Sequence, residues 1–208
     1  MKKISTQDSI LAAARQLFVQ YGYEKTSIND IAKAAHKAKG SIYYNFDSKL
    51  DIFNVLLEQE VEAIINELTD KRIFLSTSVY NVSERLKNYL SHRMEVLNDS
   101  PLCRQAMIEM FQSKDEELCG KIRDMRVYID RKERRFFVDV CSKVRKMNKL
   151  PRQVSPESFA DMLIMMLKSL EVLFFVQDRY VEFKKTYDCM LEVLVVGNMT
   201  SSRSVFTP

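Results

Sequence analysis

Apolar residues recur at helical spacing along nearly the whole chain. Over residues 8–21, Ile10, Leu11, Ala14, Leu17, Phe18 and Tyr21 fall three or four positions apart, the pattern of one buried helical face. Gly22 follows, where a residue free to take positive φ can stop a helix. Ser27-Ile28-Asn29-Asp30 has the spacing of a capping box and predicts a second, short helix with Ile28, Ile31, Ala32 and Ala35 inward. After His36-Lys37 a third short helix is predicted through Ser41, Ile42, Tyr43 and Tyr44. Ser48-Lys49-Leu50-Asp51 is another capping box. It opens a long helix carrying Ile52, Leu56, Val61, Ile64, Ile65 and Leu68. Helix, short helix, tight turn, short helix, long helix is the layout of a helix-turn-helix unit joined to a rod.

The remainder reads as further helices. Segment 83–98 sets Leu86, Tyr89, Leu90, Met94 and Leu97 on one stripe, and Pro101 starts a helix through Met107, Met110 and Phe111. Residues 116–147 form a long candidate with Leu118, Ile122, Met125, Ile129, Phe136, Val140, Val144 and Met147 inward, stopped by Pro151. Ser155-Pro156-Glu157 starts another, and 180–196 supplies the last before Gly197. The expected fold is all-α: a three-helix DNA-binding domain of helix-turn-helix type over 1–48, then a larger helical ligand-binding and dimerisation domain over 49–197. A loose polar tail is expected over 198–208.

Composition narrows the class. Among 208 residues there are only four Gly and four Pro, too few for the turns of an all-β chain or the glycine loops of nucleotide enzymes. The four cysteines, at 103, 119, 141 and 189, form no CxxC pair, and neither histidine lies near them in sequence. No metal, no cofactor and reduced thiols in a cytoplasm are therefore expected. The longest apolar run, Met162 to Leu167, falls far short of the roughly 20 residues of a membrane span. Net charge is +4, and its placement matters more than its size. Residues 1–50 hold eight Lys or Arg against four acids, leaving 24 of each for the rest. A basic end on a neutral body suits an anionic partner for that end, double-stranded DNA above all, although a few solvated lysines would look similar.

The residues of the predicted turn and third helix suit that partner. In a helix-turn-helix the second helix of the motif lies in the major groove while neighbouring helix ends hold phosphates. Lys37 and Lys39 bring charge to the turn. Gly40 lets backbone approach closely, and Ser41, Tyr44 and Asn45 offer hydrogen-bonding groups and an aromatic face to base edges. Lys49 sits in the first turn of the fourth helix, where the helix end already attracts an anion. A plain helical hairpin with exposed lysines is the bland alternative.

The stretch from Phe18-Val19-Gln20-Tyr21-Gly22-Tyr23-Glu24-Lys25-Thr26-Ser27-Ile28-Asn29-Asp30-Ile31-Ala32-Lys33-Ala34-Ala35 to Lys39-Gly40-Ser41-Ile42-Tyr43-Tyr44-Asn45-Phe46-Asp47-Ser48-Lys49 resembles the TetR family of transcriptional regulators. The resemblance covers about the first quarter of the chain. It implies that Thr26, Ser27, Tyr43 and Lys49 hold phosphates, and that Lys37, Lys39, Gly40, Ser41, Tyr44 and Asn45 lie at the groove. It also implies a ligand-responsive repressor bound as a homodimer to a palindromic operator. Three positions depart from the family's usual pattern. His36 stands where Gly is usual, and a left-handed backbone there costs about 1–2 kcal/mol. Ala38 replaces a small hydroxyl residue and removes an N-cap worth about 1 kcal/mol. Asn45 stands where His is frequent.

Beyond residue 50 the sequence is less specific. The helix from Ser158 to Gln177 is apolar nearly all round, which asks for burial on every side. One face can pack on its own domain and the other on a second subunit, with the final helix beside it. Met162, Met166, Leu170, Phe174, Met190 and Leu194 are the interface candidates. Eleven Met and twelve Phe suggest adaptable packing, either plain core or a cavity for a largely apolar small-molecule effector. His92, Met107, Met110, Phe111, Tyr128 and Met165 are the pocket candidates. Residues 121–149 carry eleven basic residues against four acids, readable as a solvated face or as an anion-binding one. Two other classes remain open: a helical-bundle enzyme, for which no phosphate loop, metal spacing or catalytic residues are evident, and an architectural DNA-binding protein without an effector.

Overall fold

The computed structural model describes residues 5–69, 82–146 and 153–193. They hold nine α-helices and one π-helical turn, with no strand among the described residues. The order is α1 (Thr6–Tyr21), α2 (Ile28–Ala34), α3 (Lys39–Asn45), α4 (Lys49–Thr69), α5 (Val82–Asn98), α6 (Pro101–Gln112), α7 (Glu116–Lys146), α8 (Pro156–Glu171), the π turn (Val172–Val176) and α9 (Tyr180–Leu191). None of the described helices is long and apolar enough to cross a membrane. The interface candidate Leu194, the predicted stop at Pro151 and the tail 198–208 lie outside the described residues.

Two compact units divide the chain, Met1–Ile64 with Asp99–Val127, and Ile65–Asn98 with Tyr128–Pro208. In the first, local chemistry sets each helix end. Ser5 caps α1 by accepting the Asp8 N–H at 3.0 Å, and Gly22 ends the helix at φ 86 while its N–H returns to the Phe18 carbonyl. Ser27 and Asp30 form both halves of a capping box on α2. That helix ends in a Schellman turn: the Lys37 N–H reaches the Ala32 carbonyl at 2.9 Å, the His36 N–H reaches Lys33, and His36 takes φ 53. A left-handed residue is thus needed where glycine would be easiest, and histidine bears the strain. Ala38 begins α3 with no side-chain cap. At α4 only half the expected box forms. Ser48 accepts the Asp51 N–H, whereas the Asp51 carboxylate takes the Asp47 N–H instead.

The core of this unit gathers Ile10, Ala14, Phe18, Ile31, Ile42 and Phe53. Phe18, Tyr23 and Phe53 pack ring on ring with centroids 5.2–5.8 Å apart. Two buried carboxylates then fasten α6. Glu60 on α4 accepts the Leu102 and Cys103 N–H groups at the start of α6, both at 2.9 Å, and pairs with Arg15 of α1. Glu109, near the other end of α6, accepts the Tyr23 N–H at 2.8 Å. Gly22 makes that approach possible. A Cβ there would stand 2.8 Å from the Glu109 carboxylate and 2.9 Å from the Gln105 amide, apart from the strain of its positive φ.

The second unit is built on Leu86, Tyr89, Leu90, Met94 and Leu97 of α5, all buried as their spacing predicts. On α7 it is Phe137, not Phe136, that is fully enclosed, with Phe136 stacked on Tyr89. The apolar helix expected over 158–177 widens at its end into the π turn, closed by the Gln177 N–H on the Val172 carbonyl at 3.0 Å. Both Phe174 and Phe175 are buried there. At the centre of the unit lies Arg93, 4% exposed. Its guanidinium donates to Glu133 at 2.5 and 2.9 Å and to Glu171 at 2.6 Å, while the Tyr89 hydroxyl donates to Glu133 at 2.9 Å. Burial alone would lower the Arg93 pKa, but Glu133 and Glu171 outweigh it and hold the group charged well above its ordinary value.

Truncating one member of such a buried cluster strands the others. Arg93→Leu would leave two enclosed carboxylates without their cation and should cost about 3–5 kcal/mol. Urea unfolding of the variant should show a large fall in midpoint, and an unmoved midpoint would mean the cluster does not hold this unit together.

Candidate nucleic-acid interface

Helix α3 has two faces. Ile42 and, just past its end, Phe46 are buried against α1 and α2. On the other side Lys39, Gly40, Tyr43 and Tyr44 are exposed, and Tyr44 stands 89% open to solvent. A large aromatic residue so placed contributes nothing to the core of its own chain. Lys39 reaches over the Tyr43 ring, 5.8 Å from its centroid. A Cβ at Gly40 would meet nothing within 4 Å, so the glycine serves no packing need within the chain. Ser41, Asn45 and Lys37 are half-buried, and Asn45 donates from its amide to the Ser41 carbonyl at 2.7 Å.

The other expected contacts are placed differently. Ser27 is exposed, and its hydroxyl accepts the Asp30 N–H at 3.2 Å and donates to the Asp30 carboxylate at 2.6 Å. That hydroxyl, together with the Ser27 N–H donating to the same carboxylate at 3.0 Å, holds the Asp30 carboxyl below its ordinary pKa. Thr26 is only 3% exposed and gives its hydroxyl to the Gly22 carbonyl at 2.8 Å, which closes the loop between α1 and α2. Lys49 also faces inward. Its ammonium donates to the Tyr23 carbonyl at 2.8 Å and lies 3.9 Å from the Tyr23 ring centroid. Burial lowers its pKa, and Glu24, Glu109 and Asp115 act in the opposite direction. Tyr23 itself is pushed up, by burial first and then by Asp115, Glu24, Glu117 and Glu109.

Glu60 and Glu109 escaped the motif-based reading. Each nevertheless sits in an apolar stripe, Phe53-Leu57-Glu60-Ile64 and Leu102-Ala106-Glu109, where a lone acid at a buried helical position is the visible signal.

The pocket candidates are divided between the two units. Met107 is buried and Met110 half-buried in the first unit, but Phe111 on the same helix is 63% exposed. In the second unit Tyr128 is half-buried and Met165 is 66% exposed. His92 faces carboxylates there, with Nε2 3.5 Å from Glu67 and Nδ1 4.0 Å from Glu95. Solvent rather than a cavity wall surrounds Phe111 and Met165 in the single chain. Of the interface candidates, Met162 is exposed, while Met166, Leu170 and Met190 are half-buried. Phe174 is a correction. It is buried within its own chain, edge-on to Phe175, Tyr180 and Tyr187, because the π turn directs both phenylalanines into the core.

Residues 10–56 match the model of the family described as bacterial regulatory proteins, tetR family. Over 63 residues the chain is 43% identical to the HTH-type transcriptional regulator AcrR of Shigella flexneri, covering 30% of this chain and 29% of that one. Over 64 residues it is 39% identical to the biofilm operon icaADBC HTH-type negative transcriptional regulator IcaR of Staphylococcus aureus, covering 31% and 32%. The chain thus spans between about a quarter and a half of the length of the curated relatives it matches. The fold is shared much more widely. The fatty acid degradation regulator FadR from Bacillus halodurans superposes with a TM-score of 0.66 at 19% identity, over 99% of this chain and 100% of that one. The segment that forms α1 to α3 and opens α4 is thus similar to the tetR family of bacterial regulatory proteins.

Proposed function

We propose that this protein is a transcriptional repressor that grips a palindromic operator as a homodimer, responds to a small-molecule effector and works in the cytoplasm. The observation that carries the proposal is the outward face of α3. Tyr44 is almost wholly exposed there, beside Lys39, Tyr43 and an unobstructed Gly40, on a helix whose other face is locked by Ile42. In this reading residues 1–48 read DNA and 49–197 sense and dimerise. Ser27, Lys37, Lys39 and Tyr43 hold phosphates, Gly40 lets the backbone close in, and Ser41, Tyr44 and Asn45 face base edges. Thr26 and Lys49 serve from behind, fixing the loop that carries Tyr23. For dimerisation, exposed Met162 with half-buried Met166, Leu170 and Met190 supports a second copy as the partner of α8 and α9. The effector is largely apolar and draws on the methionine-rich helices beyond residue 49.

Sequence preference should reside in α3. Selection of bound DNA from a random pool should return different sites for Tyr44→Ala or Asn45→Ala than for the unaltered protein. Lys39→Gln should weaken all sites alike. Identical selected sites for all of them would remove α3 from base reading.

The salt dependence separates Lys39 from Lys49. If Lys37 and Lys39 hold phosphates in each protomer, a dimer neutralises about four, and log affinity should fall with log salt at a slope of about −4. Lys39→Gln should take about two from its magnitude, one contact per protomer, while Lys49→Gln should leave it unchanged. A slope that also drops by about two for Lys49→Gln would show that Lys49 leaves Tyr23 for a phosphate.

A further inference from the structure

The first unit also holds a half-open cavity of about 510 Å³ lined by Ser113, Lys114, Glu116, Cys119 and Arg123. Its volume falls within the roughly 300–1,000 Å³ of small-ligand sites. The charges in its lining are not consumed by the fold. No carboxylate among the described residues pairs with Lys114 or Arg123, and no cation pairs with Glu116. Farther along α7, Arg134 is matched by Asp161, Asp130 by Lys168 and Lys143 by Asp139, whereas Lys121, Arg131 and Arg135 have no carboxylate partner among the described residues either. The start of α7 does not supply the attraction, because the Asp115 carboxylate already accepts the Glu117 and Leu118 N–H groups at 3.1 and 3.0 Å. Whatever the cavity selects, it selects with side chains.

We infer that this cavity binds a small organic oxyanion carrying a hydrogen-bond donor. The planar fork of Arg123 matches the two oxygens of a carboxylate or phosphate, and Lys114 adds a point charge. Two cations against one carboxylate set the sign of the ligand, and Glu116 accepts from a hydroxyl or ammonium on the same molecule. A purely apolar effector would leave all three charges unmatched. The inference rests on the cavity and does not require the DNA reading.

The position of the cavity gives occupancy a consequence. Ser113, in its wall, donates its hydroxyl to Glu24 at 2.5 Å and accepts the Asp115 N–H at 3.0 Å. Glu24 belongs to the loop before α2, next to the Tyr23 that Glu109 holds. An anion drawing in Lys114 acts on the residue adjacent to that tie, entirely within the first unit.

The test uses the full ¹⁵N-labelled chain without DNA, titrated at constant ionic strength with inorganic phosphate, citrate and, as the neutral control, glycerol. At least one anion should move the backbone amide signals of Lys114, Cys119 and Arg123 along a saturating curve, with a Kd of about 1 mM or tighter. Glycerol should not. Saturation by phosphate alone or by citrate alone would identify the preferred head group. Arg123→Gln should weaken the binding at least tenfold and Lys114→Gln should weaken it measurably. Both side chains are exposed, so both variants should keep the unaltered spectrum elsewhere. Shifts that rise linearly with either anion, or that are the same in Arg123→Gln, would overturn the inference.

Discussion

Glu109 lies inside the first unit with its carboxylate on the backbone N–H of Tyr23, and the presentation of α3 depends on that bond. An ionised acceptor on a buried amide is worth about 1.5–3 kcal/mol, more than an ordinary hydrogen bond, and leaving the amide unmet costs its desolvation as well. Gly22 admits the carboxylate, and the Gln105 amide supports it at 3.1 Å. Lys49 binds the carbonyl of the same Tyr23, so both polar groups of that peptide residue are held by long side chains from other helices. Glu60 does the equivalent work at the far end of α6, on two N–H groups. The loop between α1 and α2 therefore cannot shift without breaking charge-assisted bonds.

That bracing explains an otherwise contradictory surface. The side of α3 turned from the core carries Tyr44, Tyr43 and Lys39, which gain little from folding, while the loop behind it uses up the hydroxyl of Thr26 and the ammonium of Lys49. Groups at the same end of the molecule divide into those that hold and those that remain available. A reading surface needs both, because affinity for an extended partner falls if the contacting elements must first be ordered.

Much of this was legible in the sequence because it depends on local rules. The capping box of Ser27 and Asp30 and the stop at Gly22 follow from backbone requirements confined to a few residues, while the left-handed residue at His36 was legible only through the family resemblance. The inward positions of α5 followed from periodicity. What could not be read was the pairing of distant charges. Arg93, Glu133 and Glu171 are separated by 40 and 78 residues along the chain from Arg93, and Glu109 meets Tyr23 across 86. Phe174 was misplaced at an interface because a regular helix was assumed where the π turn shifts the register. Lys49 matched a motif position, yet its side chain settles on the carbonyl and ring of Tyr23, a contact across 26 residues that no local pattern announces.

The most direct measurement of this account is the operator affinity of Glu109→Ala beside that of the unaltered protein, on the same DNA and with helical content checked by circular dichroism. Glu109 contributes nothing to the exposed face of α3, so its loss acts from behind it, on the Tyr23 amide, the Gln105 amide and the nearby Lys49. The account predicts affinity weaker by about tenfold, equivalent to about 1.4 kcal/mol, with the salt slope and the selected sequence unchanged. Unaltered affinity in a folded Glu109→Ala protein would contradict it.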